Sequence, residues 1–163
     1  MSVFDKRDSE VLAKTLQELG YRIIATGGTK TYVEAKGISC LEVSTFTDKA
    51  EIFDGRLKTI SYEMLGGILF DRGKDNHTYD VEKYAIPQID IVVCNLYPFK
   101  EKPSIEMIDI GGPNMIRAAA KNYRYVTVIT DPKDYNEAAE MLLHHDYNSD
   151  EAKKFRKKCA KKA

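Results

Sequence analysis

Tryptophan is absent from this 163-residue chain, and cysteine and histidine are scarce, with three of each. Cys40, Cys94 and Cys159 are odd in number and form no CxxC pair, so we expect reduced thiols and a cytoplasmic protein. His144 and His145 are adjacent and would point to different sides of a helix. This spacing does not suit metal ligation, and we expect no metal site.

Long apolar runs are also missing. No stretch approaches the ~18–20 residues of a membrane span, and no signal peptide opens the chain. Lys plus Arg and Asp plus Glu each number 25, so no overall field attracts nucleic acid or a membrane. The basic tail "KKFRKKCAKKA" is the exception, and we expect a solvated helix face or a linker there. The composition indicates a soluble protein that binds neither nucleic acid nor membrane.

Hydrophobic residues make up 43% of the chain, enough for one domain over residues 1–163 with a single core. Apolar spacing and turn residues predict strands at 1–4, 21–26, 40–43, 66–70, 88–99 and 125–130. The same signals predict helices at 9–19, at 30–35, after Gly112 and after Pro132, with loops and a short helix in 45–61. This alternation predicts an α/β fold, a mainly parallel sheet flanked by helices.

Ligands of such sheets bind at the carboxyl ends of the strands. The motif "TGGT", Thr26 to Thr29, lies between a predicted strand and a predicted helix. Its glycines let backbone amides approach an anion, its hydroxyls add donors, and the helix N-terminus adds partial positive charge. Lys6, after the first strand, offers a cation to the same pocket. A tight turn capped by threonine would show the same pattern, so phosphate binding and a plain turn both stay open.

Two further motifs give weaker evidence of a functional site. "GRLKT" places Arg56 and Lys58 in a stretch without amphipathic periodicity, where a solvated loop is the simpler interpretation. "CNLYPF" places Asn95 and Tyr97 just past the end of a buried strand. Tyr97 could pack its ring there, or its phenol could donate a hydrogen bond to a developing oxyanion.

The run "MIDIGGPNMIRAAAKN" combines a carboxylate, two glycines and a proline ahead of two cations. Pro113 suits the first turn of a helix, and the amides before it can point at an oxygen or an anion. Arg117 and Lys121 are four residues apart and share a helix face. Asp109 could anchor a ribose, an amide or a nearby cation. A lysine that is partly desolvated beside other cations has a lowered pKa and can transfer protons near neutrality.

Together, "SVFDK", "TGGT", "GRLKT", "CNLYPF" and "IDIGGPNMIRAAAKN" resemble the motifs of the inosine monophosphate (IMP) cyclohydrolase domain. They follow the family order and cover nearly the whole chain. In that family the domain is the N-terminal half of the bifunctional purine biosynthesis protein, ahead of an aminoimidazole carboxamide ribonucleotide transformylase. The resemblance implies a methylglyoxal-synthase-like α/β fold and a homodimer.

The implied reaction is the last step of purine synthesis, closure of 5-formamidoimidazole-4-carboxamide ribonucleotide (FAICAR) to IMP with loss of water. The carboxamide nitrogen attacks the formamido carbonyl of the same molecule. The enzyme must therefore hold a reactive conformer, remove a proton and stabilise an oxyanion. No metal or redox cofactor is implied.

By resemblance, Lys121 transfers the proton and Asp109 acts with it on the carboxamide nitrogen, while Lys58 and Tyr97 stabilise the oxygen. The resemblance assigns the phosphate to the first strand and the "TGGT" loop, and the base and ribose to the other motifs. The implied substrate-binding positions are Ser2, Phe4, Asp5, Lys6, Thr26, Gly27, Gly28, Thr29, Arg56, Leu57, Thr59, Cys94, Asn95, Ile110, Gly111 and Gly112.

The chain departs from the family pattern at three places. "SVSDKTG" is "SVFDKRD" here, so Phe4 replaces a hydroxyl and only its backbone can serve the nucleotide. "KTLHP" is "KTISY", so Ser61 and Tyr62 replace a His-Pro pair at the edge of the site. The sequence stops where the family continues into the transformylase, so residues 1–163 are not expected to carry that domain or its activity.

Two other functions compete with the cyclohydrolase. A methylglyoxal synthase would eliminate phosphate from dihydroxyacetone phosphate with a carboxylate and a histidine near the phosphate loop, but no histidine here adjoins a motif. A non-catalytic nucleotide-binding regulatory module is the other alternative, and Phe4, Ser61 and Tyr62 are the features that favour it.

Overall fold

The computed structural model describes all 163 residues and contains five short parallel strands among eight α-helices. The strands are β1 Ser2–Val3, β2 Ile24–Ala25, β3 Leu41–Glu42, β4 Ile91–Asn95 and β5 Thr127–Ile129. The helices are α1 Ser9–Glu18, α2 Gly27–Glu34, α3 Val43–Thr47, α4 Tyr62–Leu69, α5 Asp75–Lys83, α6 Gly111–Lys121, α7 Tyr135–His144 and α8 Asp150–Lys162. No helix combines the length and the apolar character that a membrane span requires.

The strands form two parallel groups, β1-β4-β5 and β2-β3. Met1 connects them, because its amino group donates to the Ile24 carbonyl and its own carbonyl accepts from the Thr26 amide at 3.2 Å. The strand order across the molecule is thus β3-β2-β1-β4-β5, with β1 in the centre. The carboxyl ends of β1, β2 and β4 therefore open on one edge, as the sequence predicts.

The core is one cluster of buried apolar side chains around this sheet. The apolar run of β4 places Val92, Val93 and Cys94 inside, and β5 is buried throughout, as expected for strands covered on both faces. Helices α1 and α7 pack against each other, while α6 contacts β4, β5, α4 and α8. The predicted mainly parallel sheet flanked by helices is confirmed.

The prediction of a strand at "GGILF" is wrong, because residues 66–69 lie in α4. A five-residue apolar run does not distinguish a strand from a buried helix by periodicity. Ser61 starts this helix, with its Oγ accepting from the Met64 amide at 3.2 Å. Gly67 is required by close packing, since a Cβ there would lie 2.2 Å from the Pro87 carbonyl oxygen. Helix α5 had no counterpart in the predicted elements.

The basic tail is a packed helix as well as a charged surface. In α8, Phe155 and Cys159 face the core while the lysines between them face water. The guanidinium of Arg156 is buried, lies 4.6 Å from the centre of the Tyr147 ring and donates to the Tyr147 carbonyl. The expectation of a solvated face therefore holds for the lysines only, and α8 belongs to the fold.

Truncating the buried face of α8 should destabilise the whole domain. Phe155→Ala removes a side chain that is 8% exposed, and buried Phe→Ala changes cost about 3–5 kcal/mol. Urea unfolding should show that loss in the free energy of unfolding, while Lys157→Ala on the exposed face should stay within about 0.5 kcal/mol. Equal effects of the two variants would contradict the packing of α8.

The buried Met1 amine should make stability depend on pH. Burial lowers the pKa of this amine to about 6 from its ordinary 8.0. Between those values the unfolded chain binds more protons than the folded chain, so the free energy of unfolding should rise from pH 6 to pH 8. At about 1.36 kcal/mol per pH unit, the rise from this group is at most ~2.7 kcal/mol. Urea unfolding of a chain with an acetylated amino terminus is the control, and an equal rise in both chains would contradict the assignment.

Candidate active site

A cavity of about 480 Å³ opens at the carboxyl ends of β1 and β4, between the N-termini of α2 and α6. It collects most of the predicted site residues: Ser2, Phe4, Lys6, Thr26, Gly28, Thr29, Arg56, Lys58, Thr59, Asn95, Tyr97, Asp109, Ile110, Gly111 and Gly112. Five motifs that are far apart in the sequence thus meet in one cavity, and its volume is usual for a small-molecule site.

The α2 end of the cavity is suited to an anion. Thr26 is the N-cap residue but makes no side-chain cap, and the first helical hydrogen bond runs from Lys30 N to Thr26 O. The amides of Gly27 and Gly28 therefore precede the helical ladder and have no carbonyl partner within α2. The Lys6 ammonium lies beside Gly28, 4.0 Å from where a Cβ would stand. Helix dipole, free amides and a lysine combine at this end.

Thr29 has a structural role that limits its part in ligand binding. It is buried, and its Oγ1 accepts from Val3 N at 3.0 Å and donates to Val3 O at 3.2 Å. A hydroxyl has a single proton, so Thr29 has none left to donate to a phosphate. The expected phosphate donors at this end are instead the α2 amides and the hydroxyl of Ser2, which accepts from Thr26 Oγ1 at 3.2 Å and keeps its own proton.

Asn95 is similarly committed to the backbone. Its Oδ1 accepts from the amides of Phe4 and Asp5 at 2.7 and 2.8 Å, and its Nδ2 donates to Asp5 O at 2.8 Å and to Tyr135 at 3.4 Å. Both amide protons are therefore used. Asn95 lines the cavity, and its side chain fixes the turn that follows β1. Its place among the substrate-binding residues stays a prediction.

The hairpin of residues 52–57 brings Lys58 to the cavity. Ile52 and Leu57 pair antiparallel, and the turn between them has positive φ at Phe53, Asp54 and Gly55. The Lys58 ammonium, 30% exposed, lies 3.5 Å from the Glu51 carboxylate. Next to it, Arg56 forms an exposed ion pair with Glu106 across the mouth of the cavity. Two cations thus enter the cavity from this one hairpin.

The α6 end supplies a carboxylate and a second helix N-terminus. Asp109 Oδ1 accepts from the Gly112 amide at 2.8 Å and so fixes the start of α6, while nothing donates to Oδ2. Both glycines are required here. A Cβ at Gly111 would lie 2.3 Å from Thr59 Oγ1, and one at Gly112 would lie 2.5 Å from Asp109 Oδ2.

Phe4 and Tyr97 form one wall. Their rings meet edge to face, with centroids 5.6 Å apart, and each side chain is partly exposed to the cavity. Aromatic pairs in this geometry attract each other beyond their buried area. Tyr97 therefore both packs its ring and keeps its phenol near the cavity, so the two interpretations of its motif are compatible.

Five predicted site residues do not line the cavity: Asp5, Gly27, Leu57, Cys94 and Lys121. Asp5 pairs with the Arg7 guanidinium, which lowers the pKa of its carboxyl group. The Cys94 side chain is buried in the core, and burial raises the pKa of its thiol to about 12.

Lys121 is the most consequential of these residues, and its catalytic role stays a prediction. It is exposed at the C-terminal end of α6, whereas the cavity lies at the N-terminal end. At 1.5 Å per residue the ten steps from Gly111 span about 15 Å of helix axis. The structure of one chain therefore does not bring Lys121 together with Lys58, Tyr97 and Asp109.

Several lining residues were not predicted: Val3, Asp54, Gly55, Ile105, Glu106 and Ile108. Most lie in the hairpin or in the segment before α6, where no periodicity marks the backbone. The Arg56–Glu106 pair could have been sought from charge alone, but the two residues are 50 positions apart. No group of His, Cys, Asp and Glu side chains is placed to hold a metal ion, and no histidine lines the cavity.

Adding a methyl group at Gly112 should disturb the α6 end. The new Cβ would meet Asp109 Oδ2 at 2.5 Å and Leu96 Cδ2 at 2.7 Å, so one of them must move. We expect Gly112→Ala to lower the free energy of unfolding by about 1–3 kcal/mol. The matched control is Gly27→Ala at the other helix start, where a Cβ meets nothing within 4 Å. Equal thermal stability of the two variants would contradict the crowding.

Comparison with known proteins identifies the fold family. The sequence profile of the MGS-like domain matches residues 9–130. The crystal structure of ForH superposes with a TM-score of 0.87 at 30% identity, covering 99% of this chain and 86% of that one. The predicted methylglyoxal-synthase-like fold is confirmed.

Curated relatives at 44–48% identity carry the name bifunctional purine biosynthesis protein PurH. The protein from Aquifex aeolicus (strain VF5) is 48% identical over 87% of this chain and 30% of its own length. The protein from Thermoanaerobacter sp. (strain X514) is 44% identical over 94% of this chain and 32% of its own length. The chain thus spans about a third of the relatives it matches, and the resemblance to the bifunctional protein is confirmed. By its profile, its structure and these relatives, the chain belongs to the family of MGS-like domains.

Proposed function

We propose that the chain is an IMP cyclohydrolase that closes FAICAR to IMP with loss of water. The observation that carries the proposal is the cavity itself, where an anion site at α2 and a lysine, a tyrosine and a carboxylate near α6 face one space. The similarity to PurH proteins points to a purine ribonucleotide as the ligand. A cavity of about 480 Å³ suits a ligand of that size.

The 5′-phosphate is assigned to the α2 end. The free amide of Gly28, which lines the cavity, supplies a donor without a conformational cost, and the dipole of α2 favours negative charge. The Lys6 ammonium adds a full charge beside Gly28. Ser2 and Thr26 line the same end, and Ser2 adds a hydroxyl donor. A phosphate bound at this end would place the base of the nucleotide toward the N-terminus of α6.

The reacting groups are assigned to the α6 end. Ring closure forms a bond between the carboxamide nitrogen and the formamido carbon, and the carbonyl oxygen gains negative charge. Lys58 and Tyr97 can donate to that oxygen, and so can the amides that start α6. Asp109 Oδ2, which accepts no hydrogen bond within the chain, can accept the N–H of the attacking amide. The oxygen takes one proton that originates on the attacking nitrogen and a second that originates on the formamido nitrogen. The C–O bond then breaks, a C=N bond forms to the formamido nitrogen, and the oxygen departs as water.

In this mechanism Lys58 transfers the proton. Its ammonium lines the cavity, while Lys121 is about 15 Å along α6 from the site. The Lys58 ammonium would donate a proton to the departing oxygen. A proton released from the substrate nitrogen would then restore the ammonium and complete the catalytic cycle. Glu51, 3.5 Å from the Lys58 ammonium, holds it at the cavity between turnovers. One lysine thus replaces the pair implied by the resemblance.

A homodimer is part of the proposal. The segment from Leu96 to Ile110 exposes apolar side chains beside the cavity, including Phe99 at 46%, Ile108 at 54% and Ile105 at 75%. Contiguous exposed apolar surface of this kind marks a protein interface. A second copy covering this segment would also narrow the mouth of the cavity.

Turnover of FAICAR, followed by the ultraviolet change of ring closure, tests the function. Lys58→Ala should lower kcat by about 10²-fold or more, because it removes one oxyanion donor, and should spare IMP binding. The matched control is Lys121→Ala, which should change kcat by less than about threefold if one chain forms the site. Dihydroxyacetone phosphate should not react, since no histidine lines the cavity.

Three results would contradict the proposal. IMP binding without any turnover would favour the regulatory module. Release of phosphate from dihydroxyacetone phosphate would favour a methylglyoxal synthase. Full activity of Lys58→Ala would remove the assigned proton donor. A large loss in Lys121→Ala would instead show that a second copy brings this lysine to the site.

A further inference from the structure

A second cavity, of about 390 Å³, lies between the segment that follows α6 and the first half of α8. It shares no residue with the candidate active site, which lies at the opposite end of α6. We call this cavity the basic groove. Its lining residues are Tyr123, Arg124, Tyr125, Asn148, Lys153, Lys154, Arg156 and Lys157.

The basic groove concentrates charge of one sign. Five of its eight lining residues are lysine or arginine, and none is acidic. The whole chain has equal numbers of basic and acidic residues, so this excess is local. A concave site lined by one sign of charge raises the local concentration of ions of the opposite sign. The basic groove is therefore suited to an anion.

Most of the exposed cations in the basic groove have no ionic partner in the chain. Lys153 pairs with Asp150 at 3.1 Å, whereas Arg124, Lys154 and Lys157 form no ion pair. Lys157 follows the other two lysines by three and four residues, so it lies near both on the surface of α8 and repels them. An anion bound in the groove would offset that repulsion.

The helix dipole does not account for these lysines. Cations stabilise a helix near its C-terminal end, but Lys153 and Lys154 lie in the first half of α8. Lys158 and Lys162 lie nearer that end, outside the groove, and each pairs with a carboxylate. The chain thus neutralises these two lysines itself, while it leaves Lys154 and Lys157 in the groove without a counterion.

Arg156 adds a buried charge to the basic groove. Only 2% of this residue is exposed, and its guanidinium pairs with no carboxylate. Its Nη1 donates to the Tyr147 carbonyl at 2.6 Å, while its buried Nε donates to no group in the chain. A buried charge without a counterion and a buried donor without an acceptor both cost free energy. Because a planar guanidinium matches the oxygens of a phosphate, a phosphate in the groove would supply both partners.

We propose that the basic groove binds a polyphosphate group, that is, two or more linked phosphates of a small ligand. Three exposed cations and Arg156 lack a counterion, and a single phosphate with about two negative charges would balance only half of them. The volume of the groove is usual for a small-molecule site. A nucleic acid would need an extended positive surface, whereas this charge is confined to one concavity.

Calorimetric titration with sodium tripolyphosphate tests the proposal. The double variant Lys154→Ala/Lys157→Ala should weaken binding at least ~tenfold, because it removes two charged donors. Lys161→Ala is the matched control, since Lys161 is also an exposed lysine of α8 without an ion pair but lies outside the groove. It should change the affinity by less than about twofold. Absence of binding, or an equal loss in the two variants, would overturn the proposal.

A further variant separates the basic groove from the anion site at α2. Lys6→Ala removes the cation beside Gly28 and should leave tripolyphosphate binding unchanged, because Lys6 does not line the groove. Loss of binding in Lys6→Ala would place the polyphosphate in the candidate active site and overturn the proposal. These titrations measure binding without FAICAR, so they stand apart from the outcome of the FAICAR assay.

The Arg156 side chain gives a readout that surface lysines do not provide. In NMR spectra of the labelled chain, its Nε–H signal should shift during the tripolyphosphate titration, because the free donor gains an acceptor. An Nε–H signal that stays unmoved at saturation would remove Arg156 from the site and overturn the proposal as stated.

Three other ligands define what the basic groove recognises. Inorganic phosphate should bind at least ~tenfold more weakly than tripolyphosphate, and equal affinity would contradict a polyphosphate site. Adenosine triphosphate should bind at least as tightly as tripolyphosphate. A tighter value that is lost in Tyr123→Ala would identify a nucleotide as the source of the polyphosphate, and equal values would identify the free polyphosphate. Binding of single-stranded RNA without binding of tripolyphosphate would overturn the proposal in favour of a nucleic-acid surface.

Discussion

The placement of β1 is the constraint on which the rest of the structure depends. This strand has two residues, too few to hold itself by ladder hydrogen bonds alone. Side-chain hydrogen bonds also hold the strand. Thr29 hydrogen-bonds the amide and the carbonyl of Val3, and Asn95 accepts from the amides of Phe4 and Asp5. Buried backbone groups must be paired, so these two polar residues fix where β1 ends. Ser2 and Lys6 reach the α2 N-terminus because of that.

Two helix N-termini on either side of this fixed strand give the cavity its chemical character. At α2 the amides are uncapped and a lysine lies beside them, which favours a dianion. At α6 the carboxylate of Asp109 caps the Gly112 amide and so occupies part of the positive end. The two ends therefore suit different groups: in the proposed function, α2 binds the charged phosphate and α6 polarises a neutral amide. A nucleotide would accordingly fit the cavity in one direction.

The motifs were predictable from sequence where two local signals coincide. Thr26 to Gly28 and Ile110 to Gly112 combine the end of a strand or loop, paired glycines and a helix start. Asp54 and Glu106 carry no such signal. Asp54 lies in the turn of a hairpin, and Glu106 pairs with Arg56, which is 50 positions away in the sequence. The position of Lys121 relative to the cavity was not predictable for another reason. Its motif gives the residue type, but only the axis of α6 shows that it lies a full helix length from Gly111.

Phe4 shows why a departure from the family motif need not disable the site. The Phe4 amide is held by Asn95 at 2.7 Å whatever side chain is present, so the backbone that follows β1 keeps its course. The hydroxyl lost at position 4 would have been one donor among several, beside Ser2 and the α2 amides. In its place the phenyl ring contacts the edge of Tyr97 and restricts how that ring can turn. Within the proposed function, the substitution therefore exchanges a ligand contact for the positioning of Tyr97 at the α6 end of the cavity.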